Sequence, residues 1–485
     1  MYLKAVTSDI MRKADENAEK LYGIGEEILI ENAASALYEE CPGVKSAVIL
    51  AGPGNNGADG FALARRLFLS GCEVEILTLC PVRHKNAEIA SKLGIKINDF
   101  YERETNEAEL YIDALFGTGL SRPIAGKAEE MILYMNGQTG MKISVDVPSG
   151  ADSDTGAVAG AAVRADKTVT FAFAKMGLFQ FPCADFAGEV VIKDIFLPDT
   201  VGDTKRYIVK SAGIPLRAKN THKGTYGHLV TLTGAESMSG AAYMSAEAAV
   251  KSGSGLVTVL VPDAIGNILS AKLTEAMVVP LPSENGAFKR EAFGKAEKYF
   301  PKADALLLGC GIRNTEETAY LVREAVSKFK GKKIIDADGL NVLADSPELL
   351  KGSVITPHPG EMARLMKTDI ASVEKDRVQN AVSFAVKYGC TVVLKGARTV
   401  TAYPDGRAYI NDGGNPGMAN GGSGDVLAGL IASFTAQKIP DAEIAAVYIH
   451  SLAGSLAAKE NSENAMSATD IIKMIPPAIK SAYGV

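Results

Sequence analysis

Residues 415–425 read NPGMANGGSGD, and Gly417, Gly421, Gly422 and Gly424 fall just before an apolar run. Lacking Cβ, such residues let the chain take positive φ and turn successive N–H groups toward one point, which is how a loop grips an anion. Val426, Leu427, Leu430, Ile431 and Phe434 follow at helical spacing. The loop therefore ends at a helix N-terminus, whose partial positive charge suits a phosphate. Asp425 closes the loop, where a carboxylate could take a proton from a bound hydroxyl or hold a cation. A blander reading makes Ser423 or Asp425 a helix cap only. A cap needs one such residue and no glycine cluster, so the chemical reading is carried forward.

A second polar loop follows the apolar run SAVIL at 46–50: AGPGNNGADG, then the helical FALARRLFLS. Strand, glycine loop and helix in that order belong to nucleotide-binding α/β folds. The loop is neither GxGxxG nor a Walker A motif. Asn55, Asn56 and Asp59 supply oxygens that glycines allow to converge, which suits a monovalent cation or a ribose and phosphate; an Asn-rich turn is the plain alternative. ELYIDALFGTGL at 109–120 places Asp113 near a strand end, and MKISVDVPSG at 141–150 does the same for Asp146 and Ser149. In an open parallel sheet those ends share one rim, so a pocket is expected there. By position Asp146 is the candidate for proton transfer.

The second half repeats the pattern. ALLLGCGI at 305–312 ends in a glycine loop, and a strand before residue 336 delivers Asp336 and Asp338, a pair suited to magnesium or to ordering the site. In TPHPGE two prolines stiffen the turn around His358, and TVVLKG at 391–396 presents Lys395 with Arg398, cations suited to a nucleotide phosphate. His222 and His228 flank glycines without a carboxylate at ligand spacing, which disfavours a metal site.

The elements that must position these groups alternate as strand and helix along the chain. At 485 residues two domains are expected, with the seam in the turn-rich stretch 198–215, dividing 1–210 from 211–485. The opening segment has helical spacing, with Met11, Ala14, Ala18 and Leu21 on one side. Hydrophobic residues at 47% and charged ones at 22% fit folded globular domains. A net charge of −6 without a basic stripe argues against nucleic acid, and no apolar run reaches about 18 residues, which argues against membrane spanning. Six scattered cysteines read as reduced thiols in a cytoplasmic protein.

GNNGAD, DALFGTGL and DVPSG resemble the motifs of the YjeF N-terminal family, the NAD(P)H-hydrate epimerases. That resemblance implies potassium held by Asn56, Asp113 and Ser149. It implies hydrate binding by Asn55, Asn56, Gly57, Ala58, Asp59, Gly117, Thr118, Gly119, Leu120, Ser121, Arg122, Pro123 and Asp146. Ala58 stands where the family usually has glycine, and its methyl fits if φ there is negative. HKGTYGH, SGSGLVTV, TPHPGE, KGART and NPGMANGGSGD resemble, in order, the ribokinase-like ADP/ATP-dependent NAD(P)H-hydrate dehydratases, although Cys310 replaces a more usual proline. This implies ADP or ATP on Lys395, Gly396, Ala397, Arg398, Thr399, Asn415, Pro416, Gly417, Met418, Ala419, Asn420, Gly421, Gly422, Ser423 and Gly424. Gly255, Gly311, His358 and Asp425 would then face the hydrate.

The expectation is thus an α/β chain of two domains: a Rossmann-like three-layer parallel sheet, then a ribokinase-like doubly wound domain. Potassium and magnesium are the implied ions, NAD(P)H-hydrate and ADP or ATP the partners, and a homo-oligomer the expected assembly. A ribokinase-type small-molecule kinase with a regulatory N-terminal domain is the rival, and a nucleotide sensor without turnover a second. A plain kinase has no use for the three N-terminal motifs together.

Overall fold

The computed structural model describes residues 1–103, 107–119 and 123–483. Residues cluster into two compact units, Leu3–Ile208 and Val209–Val485, with Met1–Tyr2 grouped with the latter.

In the first unit seven strands lie in the order Lys96–Asp99, Glu73–Thr78, Ser46–Ala51, Leu110–Ala114, Met141–Val145, Lys167–Phe171 and Glu189–Lys193. Every neighbouring pair is parallel. The side-chain period of two sends Ile49 into one buried cluster with Phe61 and Ile112, and Val48 and Leu50 into another with Tyr111 and Met131. Both faces are therefore covered, as continuous apolar strands require. Each such side chain contributes about 1.5–3 kcal/mol on burial.

The chain adds strands to one side of Ser46–Ala51 and then returns to add Leu110–Ala114 on the other. The reversal opens a crevice outside the carboxyl ends of these two strands. The helix Ser8–Tyr22 starts on a Thr7 side-chain cap and stops at left-handed Gly23. It buries Met11, Ala14 and Ala18, but Leu21, expected on that face, is exposed. Tyr2–Val6, read as helical from spacing, is a strand whose Ala5 and Val6 pair with Ala174 and Lys175. Pairing with a partner remote in sequence overrides local pattern there.

In the second unit the order is Met277–Leu281, Leu256–Pro262, His228–Leu232, Ala305–Leu308, Lys332–Ile335, Val354–Ile355 and Thr391–Leu394, all parallel. Val400–Ala402 and Ala408–Asn411 follow antiparallel. Here the reversal falls between His228–Leu232 and Ala305–Leu308. The helix Ser423–Ala436 is buried along most of its length and approaches Ser239–Lys251 closely, because a Cβ on Gly429 would strike the Ser245 carbonyl.

Candidate functional site

At the first unit's crevice lies a cavity of about 800 Å³ lined by Asn55, Asn56 and Asp59, by Phe116, Gly117, Thr118 and Gly119, by Asp146 and Lys175, and by Asp15 on the helix Ser8–Tyr22. Gly57 cannot carry a side chain, since its Cβ would run into the Gly52 carbonyl oxygen. That contact folds the loop back onto the strand end and starts the helix Asn55–Leu69 at the rim. Ala58 sits within that helix with its methyl buried, so the substitution is accommodated. Gly57, Ala58 and Pro123 do not line the cavity: the first two pack inward and Pro123 is exposed. Leu120, Ser121 and Arg122 lie outside the described residues.

Asp113 is fully buried at the end of its strand. Its carboxylate accepts from Ser144 Oγ at 2.8 Å, Ser149 N at 2.8 Å, Ser149 Oγ at 2.5 Å and Leu115 N at 3.3 Å. Ser149 Oγ in turn accepts from Phe116 N at 2.9 Å. Burial raises the Asp113 pKa, against the pull of those hydrogen bonds. Gly117, one residue on, is where the loops converge: a Cβ there would lie 3.2 Å from Asn56 Oδ1 and 3.3 Å from Asp146 Oδ2. Asn56 Nδ2 is buried without a hydrogen-bond partner.

Asp146 takes a left-handed turn, φ 66°, directly after its strand. Its Oδ1 forms an ion pair with Lys175 Nζ at 2.7 Å and accepts a hydrogen bond from Thr170 Oγ1 at 2.9 Å. Burial pushes Asp59 well above the usual carboxylate range, with the Asp146 charge adding. Asp15 rises to about 6 through burial, Lys175 pulling the other way. Lys175 and Asp15 had no sequence signal: neither stands in a glycine loop, and each reaches the cavity from an element read only as structure.

In the second unit Asp425, Cys310 and Asp336 come from three elements and bring their ligand atoms within 4.8 Å of one another. Lys395 Nζ lies 2.6 Å from Asp336 Oδ1 and 3.9 Å from Glu361 Oε2, and Thr356 Oγ1 donates to Asp336 at 2.7 Å. Gly424 packs beside the Lys395 ammonium, which sets the glycine loop against the lysine turn. Burial lifts Asp425 to about 6, with the Asp336 charge adding and the Cys310 thiol and Lys395 opposing. Gly311 and Gly422 are left-handed, at φ 64° and 97°. Both abut the helix Ser239–Lys251 and the residue before it: Met238 and Ala241 crowd Gly311, and Met244 crowds Gly422.

His358 caps the helix Pro359–Met366, accepting at Nδ1 from Gly360 N, while its own N–H donates to Glu361 at 2.8 Å. It thus joins the Lys395 cluster through Glu361, a residue that spacing did not single out. His450, also missed, is buried with Nε2 3.4 Å from Ser423 Oγ. Burial drives its pKa down to about 4, so it is neutral at pH 7.

Around the glycine loop, Asn415 Oδ1 accepts from Gly417 N and Asn420 Nδ2 donates to Gly417 O. The other amide atoms of these residues, Asn415 Nδ2 and Asn420 Oδ1, are buried without partners. Arg377 braces the Lys395 turn by donating to the Leu394 and Lys395 carbonyls. Thr399 Oγ1 donates back to Gly396 O, and Arg398 pairs with Asp412.

Gly255 does not belong to this site. It precedes Leu256, which pairs with His228 at the amino-terminal edge of the parallel sheet, whereas Cys310, Asp336 and Lys395 follow the carboxyl ends. Seven strand residues separate the edges, about 20 Å. Gly255 is small because the Lys223 carbonyl occupies the space of a Cβ. His222 and His228 are spent on a turn cap and on contacts with Lys302 O and Thr258 Oγ1.

The profile of the NAD(P)H-hydrate dehydratase family matches residues 229–477, and that of the YjeF-related N-terminal family matches residues 26–177. A bifunctional NAD(P)H-hydrate repair enzyme of Moorella thermoacetica is 36% identical over 516 residues, covering 99% of this chain and 97% of its own. The Escherichia coli K12 enzyme of the same description is 32% identical, over 96% of this chain and 92% of its own. A crystal structure of a ribokinase-like superfamily protein from Enterococcus faecalis is 31% identical with a TM-score of 0.50, covering 56% of this chain and 92% of that one.

Proposed function

The chain belongs to the family of bifunctional NAD(P)H-hydrate repair enzymes, and from that premise we propose how its residues divide the work. Residues 1–210 epimerise the R and S hydrates, and residues 211–485 dehydrate the S hydrate at the expense of ADP or ATP.

For dehydration, hydroxide is a poor leaving group and a phosphorylated oxygen a good one. Asp425 takes the hydroxyl proton as that oxygen attacks the terminal phosphorus, the bridging P–O bond breaks so that AMP leaves from ADP or ADP from ATP, and the Gly421–Gly424 N–H groups stabilise the charge on the transferring phosphate. Phosphate then departs with the C–O electron pair. Loss of a proton from the adjacent carbon restores the ring double bond. The observation that carries this reading is Asp425 in the first turn behind the glycine loop, beside the Lys395 and Asp336 pair. The nucleotide occupies Lys395–Thr399 and Asn415–Gly424, where Asn415 Nδ2 and Asn420 Oδ1 await partners. Gly311 and His358 face the hydrate. Magnesium arrives with the nucleotide phosphates, as that ion does where few protein carboxylates are free.

In the epimerase half, the hydroxyl-bearing carbon inverts through ring opening. Asp146 removes the hydroxyl proton, the carbonyl forms as the C–N bond breaks, and the electron pair goes to the ring nitrogen, which takes a proton. Rotation and reclosure give the other epimer. Asn56, Asp113 and Ser149 fit potassium: Asp113 is a buried carboxylate with hydroxyl and N–H donors but no ion-pair partner among the described residues, and the Asn56 amide oxygen faces the Gly117 loop. When bound, the ion would neutralise that carboxylate and order the loop at 115–119.

The reading extends to a homo-oligomer in the cytoplasm, in keeping with six free thiols. Among the described residues no helix is long and apolar enough to cross a membrane. Supplying ADP and hydrated NADH while following absorbance near 340 nm tests the whole. Recovery of reduced cofactor is expected, and none would overturn it.

A further inference from the structure

Resting on the assignment of Asp146 to the epimerase step, we infer that Lys175 is a positioning residue which, with Thr170, clamps Oδ1 of Asp146 so that Oδ2 is the oxygen presented to the substrate hydroxyl.

The geometry is asymmetric. Oδ1 carries both contacts, the ion pair with Lys175 Nζ at 2.7 Å and the hydrogen bond from Thr170 Oγ1 at 2.9 Å. Oδ2 has no hydrogen-bond partner among the described residues and lies against Gly117, where a side chain would come within 3.3 Å of it. Gly117, Asp146 and Lys175 all line the cavity. A free carboxylate rotates and offers either oxygen; one held at a single oxygen by an ion pair and a hydrogen bond offers the other in a fixed direction.

The clamp is itself fixed. Lys175 is 1% exposed, and its ammonium also donates to Phe171 O at 2.9 Å, so it cannot follow a substrate out of the cavity. Its strand, Ala174–Lys175, pairs with the strand carrying Ala5 and Val6, which holds its backbone. Thr170 lies in the strand Lys167–Phe171, next to the one that Asp146 ends, and Asp146 N donates to Val169 O at 2.8 Å. The left-handed Asp146 backbone, φ 66°, directs the side chain toward both donors. Such a conformation persists where surrounding contacts over-determine it.

A buried lysine with one carboxylate partner could equally be a structural ion pair. What separates the two roles is which kinetic constant moves and whether a small cation can stand in. The measurement uses the full chain without nucleotide, so that dehydration is silent, and follows exchange of pure R hydrate into S by chromatography. Lys175→Ala is expected to lower kcat for exchange by about 100-fold or more with KM within about threefold. Ethylammonium, smaller than the side-chain atoms removed and an N–H donor, should restore part of the rate, whereas tetramethylammonium should not.

Thr170→Val, nearly the same shape, should lower kcat several-fold, and it keeps the idea exposed should Lys175→Ala fail to fold. Normal kcat in Thr170→Val, or loss in Lys175→Ala confined to KM or indifferent to ethylammonium, would overturn the clamp. Asp146→Asn separates the two levels. Full exchange in that variant removes the Asp146 assignment and the clamp with it; no exchange there alongside normal kcat in Lys175→Ala removes the clamp alone.

Discussion

Lys395 Nζ sits 2.6 Å from Asp336 Oδ1; the Asp336 side chain is buried and that of Lys395 mostly so. Burial alone would depress the lysine, yet the charges of Asp336 and Glu361 hold its pKa above the ordinary value. Two desolvated charges bound in this way are costly to separate, because the survivor is left buried and unpaired.

Replacing Lys395 with methionine should therefore destabilise the second unit by about 3–5 kcal/mol and weaken nucleotide binding. Lys395→Met/Asp336→Leu should recover most of the stability but not the binding. Thermal unfolding and ADP titration of both variants check this. Equal stability in the single and double variants would mean that the pair is not the stabilising unit.

Asp425 carries a pH signature. Only its ionised form can accept a proton, and burial raises it to about 6, so dehydration should climb through pH 6 and level off above 7. The stability effect has the opposite sign. Between the ordinary value near 3.8 and 6 the folded state holds the proton more tightly than the unfolded chain, so stability falls as pH rises across that window. Asp425→Asn should abolish turnover, keep ADP binding, and be more stable than the parent by about 1–3 kcal/mol at pH 7.5, the gain vanishing near pH 4. Denaturant unfolding at the two pH values reads this out.

The Asp113 cluster makes a claim on the first unit alone. Asp113→Ala should leave repair of the S hydrate untouched and strand the R hydrate. Exchange by the parent should fall when potassium is replaced by a bulky organic cation such as N-methylglucamine. Consumption of both epimers at the parent rate in Asp113→Ala would remove the proposed potassium site.

How much of this was legible depended on whether a residue announced itself locally. Short apolar runs entering glycine loops marked the strand ends before Asn55, Asp113, Asp146, Cys310 and Asp336, because buried parallel strands and backbone turns leave compositional traces. Lys175, Asp15, Glu361 and His450 left none, since each reaches its site only through long-range packing. Gly255 misled for a related reason: a glycine marks close approach but not which edge of a sheet it lies on, and only the pairing of Leu256 with His228 decides that.

Two neighbouring glycines in the anion loop should respond differently to the same methyl group. Gly422 is left-handed at φ 97°, and its Cβ would meet the Met244 thioether and come within 3.1 Å of Ala468 Cβ. Gly422→Ala therefore combines about 1–2 kcal/mol of backbone strain with a steric shift of the loop, and the KM for ADP should rise more than tenfold. Gly421 has ordinary φ and nothing within 4 Å of its Cβ, so Gly421→Ala should leave thermal stability unchanged. If Gly421→Ala nonetheless weakens ADP at full stability, the space beside Gly421 is where the phosphate sits. Epimer exchange in the first unit should be indifferent to both changes, and a loss there would mean that the loop acts beyond nucleotide binding.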